Sequence, residues 1–145
     1  MNFYIIIPAH NEAEVIAQTL QSLTEQTLQA KQIVVVNDNS SDHTQQIVEE
    51  FTQSHSNISL INNQSSNKHL PGSKIINAFY KGYDTLDADY DVICKFDADI
   101  ILPNNYLERL QFLFERDTSV GIAGGLAYIK KNEQWKTTFN MILSL

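Results

Sequence analysis

Apolar residues along the chain fall into short unbroken runs that alternate with helical spacings. Phe3-Tyr4-Ile5-Ile6-Ile7 is a continuous, β-branched run, the pattern of a strand covered on both faces in a parallel sheet. Pro8 is expected to end it. Asn11 stands where a helix cap would, with Glu14 in the capping-box position, and Ala13, Ile16, Leu20 and Leu23 follow at helical spacing. The unit then repeats. Ile33-Val34-Val35-Val36 predicts a second buried strand, Asn37 to Asp42 a loop of cap and turn formers, and Ile47, Val48 and Phe51 one face of a second helix. Ile58 to Ile61 predicts a third strand, followed by a polar connection over Asn62 to Lys68. Pro71-Gly72-Ser73 leads into a third helix carrying Ile76, Phe79, Tyr80 and Tyr83. Val92 to Phe96 predicts a fourth strand, Leu107, Leu110, Leu113 and Phe114 a fourth helix opened by Pro103-Asn104, and Val120 to Ala123 a fifth strand that Gly124 to Ile129 can extend. Strands alternating with helices over short connections predict an α/β fold, a three-layer αβα sandwich around a mostly parallel sheet.

Composition narrows the classes. The 145 residues suit one compact domain, and 43% hydrophobic residues is ordinary for a soluble globular protein. A net charge of −7 with scattered Lys and Arg argues against nucleic acid as a partner. An acidic chain can still bind an anion through a metal ion or a helix N-terminus. The single cysteine, Cys94, lies inside an apolar run and is expected to be a buried, reduced thiol. His10, His43, His55 and His69 show no zinc-like spacing. The run Phe3 to Ile7 is too short for a signal core, and no stretch has the length to span a bilayer. A cytoplasmic protein is expected, with attachment to the inner face of the membrane or to a partner subunit left open.

Ligands of an open parallel sheet bind beyond the carboxyl ends of its strands. Those ends carry Pro8-Ala9-His10-Asn11-Glu12, Asn37-Asp38-Asn39-Ser40 and Asp97-Ala98-Asp99. In extended chain, residues i and i+2 point to one side, so Asp97 and Asp99 would converge on one hard cation. Taken singly, each group reads as a cap or a turn; taken together on one rim, they read as a site for a phosphate-bearing ligand held partly by a divalent metal. No G-x-G-x-x-G follows the first strand and no G-x-x-x-x-G-K-[ST] occurs, which argues against a dinucleotide-binding fingerprint and a P-loop. The acid positions expected of a response-regulator receiver domain are also missing.

Three segments, Ile5 to Glu12, Val34 to Thr44 and Phe96 to Asp99, resemble in order and spacing the signature segments of family 2 glycosyltransferases, whose fold is the Rossmann-like GT-A type. Pro71 to Lys74 with Asn77 and Gly82, and Val120 to Gly125, are similar to two further segments of that family. The resemblance implies an inverting, metal-dependent transferase using a nucleoside diphosphate sugar, with UDP-sugar as the expected donor and an unspecified glycan, lipid or protein acceptor. It implies that Pro8, Ala9, His10 and Glu12 line the nucleoside pocket, with Glu12 toward a ribose hydroxyl. Asp38 would accept a hydrogen bond from the base, and Lys74 would face the nucleotide or its diphosphate. Asp97 would reach the ribose or the metal, and Asp99 would coordinate Mg²⁺ or Mn²⁺. A solvated first-turn lysine is an equal reading for Lys74, and a pocket-wall role is preferred over proton transfer for His10.

Three departures from the family pattern stand out. Asn37-Asp38 stands where the family usually has an acidic pair. Asn39 replaces the usual glycine, which the left-handed tolerance of asparagine accommodates. After Gly125 the sole carboxylate is Glu133, so no general base is nominated. Residues 1–129 are expected to form a donor-binding domain, and 130–145 an unassigned tail expected from truncation or frameshift. The alternative is a nucleotide-binding module without turnover.

Overall fold

The computed structural model describes residues 1–65, 73–132 and 134–137. Four strands, β1 (Phe3–Ala9), β2 (Gln32–Asp38), β3 (Ile58–Asn63) and β4 (Val92–Lys95), form one parallel sheet in the order β3-β2-β1-β4. The helices are α1 (Ile16–Thr24), α2 (Thr44–Ser54), α3 (Ser73–Tyr83) and α4 (Tyr106–Arg116). The chain winds from β1 out to β3, then crosses back to the far side of β1 as β4. The sheet therefore reverses its winding between β1 and β4.

The strand runs lack alternation because both faces are covered. Phe3, Ile5, Ile7, Ile33 and Val35 meet Ile16, Leu20 and Leu23 of α1, Val48 of α2, and Leu107 and Leu110 of α4. On the opposite face Ile6, Val34 and Val36 meet Ala78 of α3, flanked by Phe79 and Tyr83. This is the expected three-layer sandwich. Gly82 lets α3 sit directly on the sheet: a Cβ there would lie 2.7 Å from Ile6 Cγ2 and 3.0 Å from Val36 Cγ2. Cys94 is buried, as its run predicts, and burial pushes its thiol up to about 12.

Several boundaries differ from expectation. Strand β1 does not end at Pro8 but continues through it to Ala9, in register with Val36 and Asn37. The Ile6 carbonyl accepts from Phe96 N–H, toward β4. Pro8 faces the same way two residues on, where β4 has ended, so its missing N–H breaks no ladder bond. Helix α1 starts at Ile16 after Val15, without a side-chain cap, so Asn11 is not its cap. Strand β3 takes in Asn62 and Asn63 from the expected polar connection. In α3 the buried positions are Ala78 and Gly82, while Ile76 and Tyr80 are exposed. Residues 120–127 form no strand, and Ile122 is 94% exposed. The chain pairs again only as β5 (Tyr128–Lys131) with β6 (Gln134–Thr137), an antiparallel hairpin separate from the main sheet. Pro71, Gly72 and Glu133 lie outside the described residues, as does the chain after 137. Among the described residues, no helix is long and apolar enough to cross a membrane.

Candidate functional site

The carboxyl ends of β1, β2 and β4 open onto one rim, at the winding reversal where a ligand crevice forms in such sheets. The loops after β1 and β2 are laced to each other. Asn11 N–H donates to Ser40 Oγ at 2.9 Å, and Ser41 N–H donates to Asn11 Oδ1 at 2.8 Å. Glu12 N–H donates to Thr44 Oγ1 at 2.8 Å, and Ala13 N–H donates to Asp42 Oδ2 at 3.0 Å. Asp42 Oδ1 accepts from both the N–H and the hydroxyl of Thr44, at 3.0 and 2.5 Å. These bonds, led by the Thr44 hydroxyl, hold the Asp42 carboxyl below the usual carboxylate range. Asn11 and Asn39 both have φ of 56°. The left-handed tolerance expected for Asn39 is used there, and Asn11 uses the same freedom to turn its amide toward Ser41.

The nucleoside-side residues of the sequence reading are assembled here. Pro8 and Ala9 end β1, and the exposed His10 ring donates from Nδ1 to the Asp38 carbonyl oxygen at 2.6 Å. That bond leaves Nε2 as the acceptor, 3.4 Å from Asn11 Nδ2. The Asp38 carboxylate is buried, and its Oδ1 accepts from Asn63 Nδ2 at 2.9 Å and Ser65 N–H at 3.0 Å. Its neighbour Asn37 is buried too, donating to Asn62 Oδ1 while its own Oδ1 lacks a protein partner. Lys74 lines a polar cleft with Asn63, Ser65, Asn77 and Lys81. The structure thus groups Lys74 with the β3 side of Asp38; no residue of the 97–99 turn lines that cleft.

Asp97-Ala98-Asp99 does not continue β4 as extended chain. It leaves the strand and turns. Ala98 is buried while Asp97 and Asp99 are exposed, so a turn rather than a pleat puts both carboxylates on the outer side. Asp97 pairs with Lys95 at 2.5 Å. The half-buried Glu12 carboxyl is raised above its usual range, first by burial and then by the negative charges of Asp99, Asp42 and Asp97. Glu12 and the turn therefore share one negative field, which a cation would relieve. Among the described residues, no three Asp, Glu, His or Cys side chains are arranged to enclose a metal by themselves. Such a rim fits Mg²⁺ or Mn²⁺, which take one or two carboxylates and complete their shells with phosphate oxygens and water.

Polar residues that the apolar periodicity passed over also serve this rim. Thr19, Ser22 and Gln26 form a buried stripe beside the apolar face of α1. Thr19 Oγ1 donates to the Ala98 carbonyl at 2.7 Å, and Gln26 Nε2 to the Pro103 carbonyl at 2.7 Å. Ser22 Oγ accepts from Leu102 N–H at 3.2 Å. Their spacing of three and four residues was a readable signal, since it matches one helical stripe.

Comparison with known proteins bears on the family and the fold. The chain is 37% identical over 97 residues to a probable glycosyltransferase, YdaM, of Bacillus subtilis, covering 66% of this chain and 22% of that protein. It is 32% identical over 120 residues to the MG025 homolog of Mycoplasma pneumoniae, an uncharacterized glycosyltransferase, covering 81% and 38%. The amylovoran biosynthesis glycosyltransferase AmsB of Erwinia amylovora is 30% identical over 132 residues, covering 91% and 42%. The chain thus spans between 22% and 42% of these relatives' lengths. Its fold is like that of S. aureus TarS 1–349 in complex with UDP, with a TM-score of 0.65 and 24% identity over 80% of this chain and 32% of that one. It is also like the mannosyltransferase PcManGT of Pyrobaculum calidifontis in complex with GDP-Man and Mn²⁺, with a TM-score of 0.54 and 22% identity over 70% and 28%. The sheet is of the GT-A type these structures share. The family model of glycosyl transferase family 2 matches residues 4–142. With nearly its whole length matched and its strand-end motifs gathered on one rim, the chain belongs to glycosyl transferase family 2.

Proposed function

We propose that this chain supplies the donor-binding part of a metal-dependent, inverting glycosyltransferase that uses a nucleoside diphosphate sugar, with UDP-sugar the preferred donor. The observation that carries the reading is that Glu12, Asp38, Asp97 and Asp99 stand at or just beyond the carboxyl ends of three neighbouring strands, with Glu12 raised first by burial and then by the charges of Asp99, Asp42 and Asp97. The solved structures of like fold contain UDP in one case, and GDP-Man with Mn²⁺ in the other.

In this reading Pro8, Ala9 and His10 wall the nucleoside, and Glu12 accepts from a ribose hydroxyl. One Asp38 oxygen is occupied by Asn63 and Ser65, which leaves Oδ2 to accept from the N–H of uracil. Lys74 reaches the nucleotide from the α3 side. Asp99, with Asp97, holds Mg²⁺ or Mn²⁺ against the diphosphate. The bound cation would offset the charge of the nucleoside diphosphate that leaves as the sugar is transferred.

Thermal unfolding in the presence of Mn²⁺ and UDP, GDP or ADP tests the donor assignment. A ligand that binds only the folded chain stabilises it by about 2.7 kcal/mol at a hundred times its dissociation constant. The expected result is a rise in midpoint with nucleotide concentration, largest for UDP. The absence of a rise with any of the three would overturn the reading. Release of free sugar from UDP-sugar, or its transfer, then separates a transferase from a module that binds without turnover.

A further inference from the structure

We propose that Thr19 is a positioning residue for the cation-binding turn: its buried hydroxyl sets the direction of the Asp97 and Asp99 carboxylates by holding the carbonyl of Ala98 between them. This rests on the reading of Asp99 as a cation ligand.

Thr19 lies within α1, is fully buried, and donates from Oγ1 to Ala98 O at 2.7 Å across 79 positions of sequence. A helical threonine commonly returns its hydroxyl to a carbonyl of its own preceding turn. Here that option is given up for a carbonyl on another segment. Ala98 is 3% exposed, so its backbone is shielded from bulk water. The turn is held at two backbone points. Phe96 N–H donates to Ile6 O at 3.1 Å on the strand side, and Ala98 O is held by Thr19 on the far side. The two carboxylates flank the second of these points. Ser22 and Gln26 continue the same stripe, but their bonds reach Leu102, Pro103 and Leu107, beyond the triplet. Thr19 is therefore the member of the stripe that acts on the carboxylate pair itself.

Replacing Thr19 with valine keeps the bulk and removes the donor. The Ala98 carbonyl is then a buried acceptor without a partner. The turn must move to hydrate it, and both carboxylates move with it. Groups that orient a metal ligand typically cost 10- to 100-fold in metal affinity when removed.

The test is a titration of Mn²⁺ into the full chain with UDP, with free Mn²⁺ followed by electron paramagnetic resonance. The expected result is Mn²⁺ affinity about 10-fold or more weaker in Thr19→Val, UDP affinity without metal unchanged, and wild-type Mn²⁺ affinity in Thr19→Ser, which retains the hydroxyl. Leu23→Ala removes core packing from the same helix and should leave the Mn²⁺ titration of the folded protein in place. Should Thr19→Val fail to fold, Thr19→Ala is read the same way. Mn²⁺ affinity equal to wild type in the donor-less variant, or failure of Thr19→Ser to restore it, overturns the proposal. Absence of Mn²⁺ uptake by the wild-type chain with UDP overturns instead the reading of Asp99 on which it rests.

Discussion

The two ends of the parallel sheet use the same residue types to opposite effect. At the amino end three carboxylates each have a donor. Asp91 accepts from Asn2 N–H, Asp87 from the Tyr4 hydroxyl, and Asp89 pairs with Lys31. Tyr90 packs edge-on against Tyr4 and closes the cluster. At the carboxyl end Asp38 and Asp42 are held by neutral donors, Asp97 alone pairs with a cation of the fold, Lys95, among the described residues, and Glu12 lies in the field of Asp99, Asp42 and Asp97. One end is electrostatically closed. The other holds like charges together in a shape that the interlaced loops after β1 and β2 maintain. Local repulsion kept in place by surrounding structure is what singles out the carboxyl end as the candidate site.

The largest test of this contrast is Asp99→Ala. It should remove at least about 2 kcal/mol of the UDP binding that Mn²⁺ adds, as measured by calorimetry with and without the metal. It should not lower the unfolding temperature of the free protein, because it removes a charge from a crowded field. Next is Gly82→Ala, which addresses the sheet between the two ends. The new Cβ meets β-branched Ile6 and Val36 at 2.7 and 3.0 Å, and such overpacking should cost about 1–3 kcal/mol in denaturant unfolding.

Tyr4→Phe probes the closed end, with a smaller loss of stability. The Tyr4 hydroxyl is the leading reason that the Asp87 carboxyl lies below its usual range. A carboxyl depressed in the folded state adds stability above its unfolded pKa and loses it as pH falls through the folded value. Tyr4→Phe should therefore flatten the fall in stability below about pH 4. Glu12→Gln should act with the opposite sign. A carboxyl raised in the folded state opposes folding once ionised, so neutralising it should raise the unfolding midpoint at neutral pH. The smallest effect is expected for Lys31→Met, because both partners of its ion pair are solvent-accessible. A substantial loss there would show that the amino end depends on that charge pair.

Much of this was legible in the chain. Unbroken β-branched runs such as Ile5-Ile6-Ile7 and Val34-Val35-Val36 suit strands covered on both faces, and the polar residues at their carboxyl ends marked the rim. What stayed hidden depends on partners remote in sequence. Val120 to Ala123 has the composition of a strand, yet strand identity is conferred by pairing with a neighbour's backbone, and among the described residues this segment pairs with no strand of the sheet. Asn11 looks like a cap because asparagine suits both a cap and a left-handed turn; contact with Ser40 and Ser41 decides between them. Thr19 is invisible to a search for apolar periodicity because the surface it covers, the backbone of the 98–107 segment, is itself polar. The 97–99 triplet does place two acids on one side, but a turn anchored at Ala98 does it, not the pleat of a strand.

The central claim is that the carboxyl-end rim binds a nucleoside diphosphate together with a divalent cation. Isothermal titration of UDP into the full chain, with and without Mn²⁺, tests it most directly. The account predicts one saturable site whose affinity rises with Mn²⁺, and loss of that rise in Asp99→Ala. No binding, or binding indifferent both to Mn²⁺ and to Asp99→Ala, would contradict it.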